Sequence, residues 1–154
     1  MIETAREGSY RISLPVRELR IRREDPTLDP VLLVDRLLGD IRKSFAIEVH
    51  EDLEAPLHEL ASEELAAAYR IASEALWNAA RHAEAKNIWL ESRKESSVFV
   101  IEVRDDGRGF SEGSTSAGLG LSLMQSRAER VGAELRLISD PGKGAVVRLR
   151  FDKR

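Results

Sequence analysis

Apolar positions recur along this chain at two spacings, and the switches between them mark out its elements. Leu33, Val34, Leu37, Leu38 and Ile41 fall at helical intervals. Asp29 and Pro30 precede them, as a cap and a first helical position would. "FAIEVH" (45–50) then alternates through Phe45, Ile47 and Val49, which predicts a strand with one buried face. The longest helical pattern starts at Ser62. There a hydroxyl cap and the first-turn acids Glu63 and Glu64 suit the helix dipole. Leu65, Tyr69, Ala72, Leu76, Ala79 and Ala83 make up its apolar stripe.

Two strands are predicted next, "NIWLES" (87–92) and "SVFVIEVRD" (97–105), joined by the polar "RKES". The segment 106–118 is rich in Gly and Ser and has few apolar anchors. A helix is predicted over 119–132, ending at Gly132. "AELRLIS" (133–139) and "AVVRLRF" (145–151) read as a hairpin around the turn "DPGKG" (140–144). Near the start, "VRELRIRR" (16–23) has the imperfect alternation of a strand, and residues 1–15 read as a tail or linker. The order of strands and helices, with hairpins at its end, predicts an α+β two-layer sandwich. Its sheet is mixed, mainly antiparallel, with helices on one face.

Composition narrows the class. A chain of 154 residues with 42% hydrophobic and 33% charged residues fits one compact domain, 16–154. A net charge of −3 gives no field that would draw it to nucleic acid. The basic run 17–23 is met at once by Glu24 and Asp25 and reads as a solvated face. Cysteine is absent, which excludes disulfides and thiolate metal sites. The apolar runs are too short to span a bilayer, and the N-terminus lacks the pattern of a secretory signal. A cytoplasmic protein without direct membrane insertion is the expectation.

The candidate chemistry lies in three places. In "EALWNAARHA" (74–83), Glu74, Asn78 and Arg81 project together at about 100° per residue, nearly opposite the apolar stripe. Alone, that arrangement describes the solvated back of an amphipathic helix. The strand 97–105 then ends in "DDGRGF", where Gly107 and Gly109 permit backbone geometry or close approach that side chains forbid. Finally "GLGLSLM" sets Gly118 and Gly120 at the start of a helix, where backbone N–H groups suit an anion such as a triphosphate.

Taken in order, these three segments closely resemble the GHKL ATPases, whose nucleotide-binding unit is the Bergerat fold. "RIASEALWNAARHA" is similar to the family's N box, "DDGRGF" to the first glycine box and "GLGLSLM" to the second. The wording is most similar to the ATP-binding catalytic domain of bacterial sensor histidine kinases, over roughly residues 28–152. The resemblance implies ATP and Mg²⁺ as cofactors. It implies that Asn78 offers an oxygen to the metal, with Glu74 one turn earlier as a second metal-site and catalytic residue. Arg81 and His82 would lie near the phosphates. Asp105 would accept a hydrogen bond from the adenine amino group, with Gly107 and Gly109 close to the base. Gly118, Leu119, Gly120 and Leu121 would border the phosphates, and 111–117 would be a lid.

The sequence departs from the family pattern at Ala145, where many relatives carry a threonine that helps hold the adenine end. It also lacks the expected phosphoacceptor. His50, His58 and His82 are its histidines, and none precedes residue 16 on a dimerising helix. The implied partners are therefore a separate phosphoacceptor/dimerisation domain and, indirectly, a response regulator, with this chain monomeric by itself. Two alternatives stay open: a stand-alone serine kinase similar to anti-sigma factors, and a non-catalytic nucleotide-sensing module.

Overall fold

A computed structural model describes residues 30–109 and 115–153, those of 30–31 and 115–119 by their backbone alone. Helix α1 (Pro30–Ser44) is followed by strand β1 (Glu48–Leu53), a single 3-10 turn (Leu57–Glu59) and helix α2 (Ser62–His82). Then come β2 (Asn87–Glu95), β3 (Val98–Asp105), α3 (Thr115–Arg130), β4 (Glu134–Ser139) and β5 (Ala145–Asp152). The strands form one sheet in the order β1-β2-β3-β5-β4. The β1–β2 pair is parallel and all others are antiparallel. This is the mixed, mainly antiparallel α+β sandwich that the sequence predicts. Asp29 and the expected strand 16–23 lie outside the described residues.

One face of the sheet is apolar and carries the helices. Val49, Ile88, Leu90, Phe99, Ile101, Val103, Leu149 and Phe151 project from it into a single core. Leu37, Leu38 and Ile41 of α1, Ile71 and Leu76 of α2, and Met124 and Ala128 of α3 cover them. A fully buried Leu, Ile or Phe contributes about 1.5–3 kcal/mol by leaving water, so this face is what makes the sheet stand.

Four sequence expectations are corrected. First, the strand predicted at 45–50 begins only at Glu48, because Phe45, the residue after α1, is still bonded back to that helix. Its N–H donates to Ile41 O at 3.0 Å, and its ring meets Trp77 edge-on at 5.8 Å. Alternation alone cannot separate a strand from a helix end followed by one apolar residue. Second, the cap of α2 is Ala61 and not Ser62; in place of a hydroxyl, Glu64 Oε1 accepts the Ala61 N–H at 2.9 Å. Third, β2 continues through Glu95, leaving Ser96 and Ser97 as a two-residue turn with Ser96 at φ 59°. Fourth, α3 starts at Thr115 rather than 119, so 115–117 of the expected lid are helical and 111–114 are not described. Its end is where the glycine predicts. Ala133 N–H donates to Ala128 O at 2.9 Å and Gly132 N–H to Glu129 O at 3.1 Å, with Gly132 at φ 68°.

Candidate nucleotide site

The central helix is not amphipathic in the way its stripe suggests. Ala67, Ala68, Ile71, Ser73, Ala75, Leu76, Trp77, Ala79 and Ala80 are all buried, while Leu65, Tyr69, Ala72 and Ala83 are only partly so. With α1 on one side, α3 on another and the sheet beneath, α2 is enclosed on more sides than one stripe can describe. Glu74 and Asn78 are consequently half-buried, and Glu74 Oε1 is shielded from solvent. This overturns the reading of these residues as the solvated back of the helix. A buried polar side chain costs free energy, so its presence on so enclosed a helix calls for a reason beyond solubility.

One turn apart, Glu74 and Asn78 present two oxygen-bearing side chains to the same side. That donor set fits a hard divalent cation whose other ligands are water and phosphate oxygens. Among the described residues no cluster of three or more His, Cys, Asp or Glu side chains could hold a metal by itself. Arg81 and His82 close the helix, half-buried. Helix α3, which carries the second glycine box, packs against α2. Gly120 is buried and Leu121 packs on the core, but Gly118 and Leu119 are placed by backbone only. Both glycines fall inside α3, not ahead of it.

Asp105 ends β3 between Ile88 and Ala145 and is 8% exposed. The strand's alternation turns its side chain to the helix-covered face with Phe99, Ile101 and Val103. Its Oδ1 accepts the Gly107 N–H at 2.8 Å. Burial pushes the Asp105 carboxyl above the ordinary range; the Gly107 and Ala145 backbone N–H groups oppose that, and the charge of Asp106 adds to it. No cation is among the causes. A buried carboxylate held by backbone N–H groups alone retains acceptor capacity for a ligand donor.

The first glycine pair has a structural reason that the sequence reading does not contain. A Cβ at Gly107 would run into Ala83 O and lie 2.7 Å from Ala83 Cβ. One at Gly109, where φ is 65°, would meet Asp140 O and come within 2.9 Å of Gly144 O. The glycines let the chain pass close to the end of α2 and to the β4–β5 turn, where a ligand was the expected neighbour. Arg108 N–H donates to Ala83 O at 2.7 Å, which fastens this loop to α2 five residues beyond Asn78. A sequence reading also misses Lys86 and Asn87, which hold the neighbouring Asp106. "AKN" between a helix and a strand is the weak signal that could have found them.

On the opposite face of the sheet a cleft of about 250 Å³ is lined by Trp89, Arg104, Ile138, Lys143 and Val146, reaching Asp105 and Asp106 at its edge. It is not where the candidate residues converge. Trp89 is already sandwiched, with the His50 ring stacked at 5.2 Å and the Arg104 guanidinium 4.4 Å from its centroid.

The fold and this convergence of α2, the end of β3 and α3 define a class. The chain belongs to the family described as histidine kinase-, DNA gyrase B- and HSP90-like ATPases, whose profile matches residues 63–154. Among curated proteins it is similar to the sensor histidine kinase LiaS of Bacillus subtilis, 30% identical over 115 residues, covering 74% of this chain and 31% of that one. It is 27% identical over 139 residues to the oxygen sensor histidine kinase NreB of Staphylococcus carnosus, covering 87% of this chain and 40% of NreB. The sensor protein VraS of Staphylococcus epidermidis is 25% identical over 130 residues, 80% of this chain and 37% of VraS. The chain thus spans two fifths or less of each of these relatives.

Solved structures agree on the fold. The histidine kinase domain of the Erythrobacter litoralis EL346 blue-light activated kinase superposes with a TM-score of 0.68 at 23% identity, over 82% of this chain and 62% of that one. Histidine kinase AdeS of Acinetobacter baumannii gives 0.66 at 15%, over 90% and 77%. No described helix is long and apolar enough to cross a membrane.

Proposed function

We propose that this chain is the ATP-binding catalytic domain of a sensor histidine kinase, taking Mg-ATP and delivering its γ-phosphoryl group to a histidine on a separate dimerisation domain. The observation that carries the reading is Asp105: a buried carboxylate with backbone partners, on a loop fastened to the end of the helix that bears Glu74 and Asn78. In this reading Asp105 accepts the adenine amino group. Asn78 and Glu74 offer oxygens to Mg²⁺, which when bound offsets the negative charge of the triphosphate. Arg81 and His82 face the phosphates from the last turn of α2. Gly118, Leu119, Gly120 and Leu121 border the phosphates from α3. Glu74 orients the attacking group or a metal-bound water. The enclosed position of α2 keeps bulk water from these side chains, which strengthens each polar contact they make.

Ala145 stands directly opposite Asp105 in the β3–β5 pair, so a hydroxyl there would have reached the adenine end. Its absence favours modest nucleotide affinity. The phosphorylated partner is a dimerisation domain, and a response regulator receives the group from it.

Asn78→Ala tests the reading. Calorimetry should find ADP binding without Mg²⁺ nearly unchanged, while labelled phosphate transfer to an added histidine-bearing dimerisation domain falls by about a hundredfold or more. Unchanged transfer would sink the assignment of Asn78. Acid-stable label on the partner would turn the reading toward a serine kinase.

A further inference from the structure

The connection Ala83–Asn87, between α2 and β2, grips the 105–109 segment on both sides of Gly107. On one side the exposed carboxylate of Asp106 is fully engaged. Its Oδ1 accepts the N–H groups of Lys86 and Asn87, each at 2.9 Å, and its Oδ2 accepts Asn87 Nδ2 at 2.8 Å. The Asp106 N–H in turn donates to Asn87 O at 3.2 Å. On the other side Arg108 N–H donates to Ala83 O at 2.7 Å. We propose that Asp106, fastened through Asn87, is a positioning residue that sets how the Asp105 carboxylate faces adenine. This rests on the reading of Asp105 given above.

The geometry runs in one direction. With residues 106 and 108 both pinned, the peptide between them has little freedom, and the Gly107 N–H it carries donates to Asp105 Oδ1 at 2.8 Å. A side chain at 107 is excluded by Ala83, so the loop cannot re-pack around a different residue. One oxygen of Asp105 is thereby committed to Gly107, and the plane of the carboxylate is fixed. The clamp has its own support. Asn87 must turn Nδ2 to the Asp106 carboxylate, so its Oδ1 faces His50, which donates from Nε2 at 2.9 Å. His50 is stacked on Trp89, so the network ends on a ring held against the open face of the sheet.

A purely electrostatic role for Asp106 predicts the opposite outcome. Its charge pushes the Asp105 carboxyl up, so neutralising it would make Asp105 a better anion and would not weaken a ligand that donates to it.

The experiment is a reciprocal swap. Calorimetry with Mg-free ADP and GDP is run on the protein and on Asp106→Asn, Asn87→Asp, the double variant and Asp105→Ala, with denaturation midpoints alongside. Asn87→Asp sets two carboxylates against each other, and should weaken ADP about tenfold and narrow its preference over GDP; Asp106→Asn keeps an acceptor for both backbone N–H groups and should lose less. The double variant restores an amide–carboxylate pair, and should return ADP affinity to within about threefold of the parent. Singles that bind ADP as the parent does, or a loss that follows the midpoint and is not recovered by the swap, overturn the proposal. If a single variant does not fold, Asn87→Ser removes the amide and with it the bonds to Asp106 and His50, and unchanged affinity there overturns it equally. Asp105→Ala separates the two claims. If that variant binds ADP normally, the adenine role of Asp105 is wrong; if it fails while the Asp106 and Asn87 variants bind normally, only the positioning role falls.

Discussion

The two faces of the sheet handle polar residues in opposite ways. On the open face, side chains meet in rows that cross the strands. His50, Trp89, Arg104, Val146 and Ile138 are consecutive cross-strand neighbours through all five strands. The next row inward carries Glu91, Glu102, Arg148 and Arg136. Glu102 is the pivot, accepting from Arg93 Nη2 at 2.9 Å and from Arg148 Nε at 2.5 Å. Burial alone would raise its carboxyl, but the two guanidinium groups win and hold it below the ordinary range. On the helix-covered face, polar side chains are the exceptions, and two differ instructively. Ser92 is buried and donates to Ala55 O at 2.7 Å, so it closes a backbone group of the fold. Asp105 is buried with backbone N–H partners and no counter-ion among the described residues, and its carboxyl is pushed up. A charge compensated by its own sheet belongs to the architecture; a buried charge left to backbone dipoles is suited to something that arrives from outside.

Three substitutions test that contrast, in decreasing order of effect. Asp105→Asn should weaken ADP by about 1.5–3 kcal/mol, roughly ten- to a hundredfold, and reduce the preference for ATP over GTP in calorimetry. Its effect on the empty fold has the other sign. A carboxyl whose folded pKa is raised contributes stability below its unfolded value and loses it as pH rises through the folded one. At pH 7 the ligand-free variant should therefore be at least as stable as the parent, and the difference should close as pH is lowered toward about 4. A variant that is destabilised at pH 7 and binds ADP normally would place Asp105 with the architecture.

Glu102→Gln is the complementary case. It leaves Arg93 and Arg148 without their shared charge, at a cost of about 1–2 kcal/mol given their partial exposure, with ADP affinity unchanged. Because the Glu102 carboxyl is depressed, its contribution is present above the ordinary glutamate range and is lost as pH falls below about 4.5. The difference in denaturant midpoint between parent and variant should be smaller at pH 3 than at pH 7. Ser92→Ala should cost least, about 1 kcal/mol in the same measurement, because it strands one carbonyl group, and ADP binding should not move.

What could be read from the sequence divides along the same physical line. The β4–β5 hairpin is legible because Gly142 and Gly144 need positive φ, 79° and 78°, and announce the turn in composition. The end of α3 is legible at Gly132 for the same reason. The three boxes around Asn78, Asp105 and Gly118 are legible as a resemblance, since their order and spacing carry it. Burial of α2 was not legible: Glu74 and Asn78 look like a polar face until α1 and α3 are packed beside them. Nor was the work of Asp106. Two of its three partners are backbone N–H groups at residues 86 and 87, which have no letter in a sequence, and the third, the Asn87 amide, comes beside it only in the fold. The glycines at 107 and 109 were found, but their neighbours are Ala83 and the 140–144 turn, contacts that only the fold creates.

The single parallel pair at the edge of the sheet has a consequence for the order in which the chain assembles. β2 and β3 close through two residues, and β4 and β5 through five, so both hairpins can zip with little entropy lost to loop closure. β1 must wait for the whole crossover from Glu54 to Lys86, including α2, to be laid across the sheet before its ladder to β2 can begin. β3 and β5 likewise meet only across the connection 106–144, so each of the two long-range pairings of the sheet brings a helix with it, α2 for one and α3 for the other.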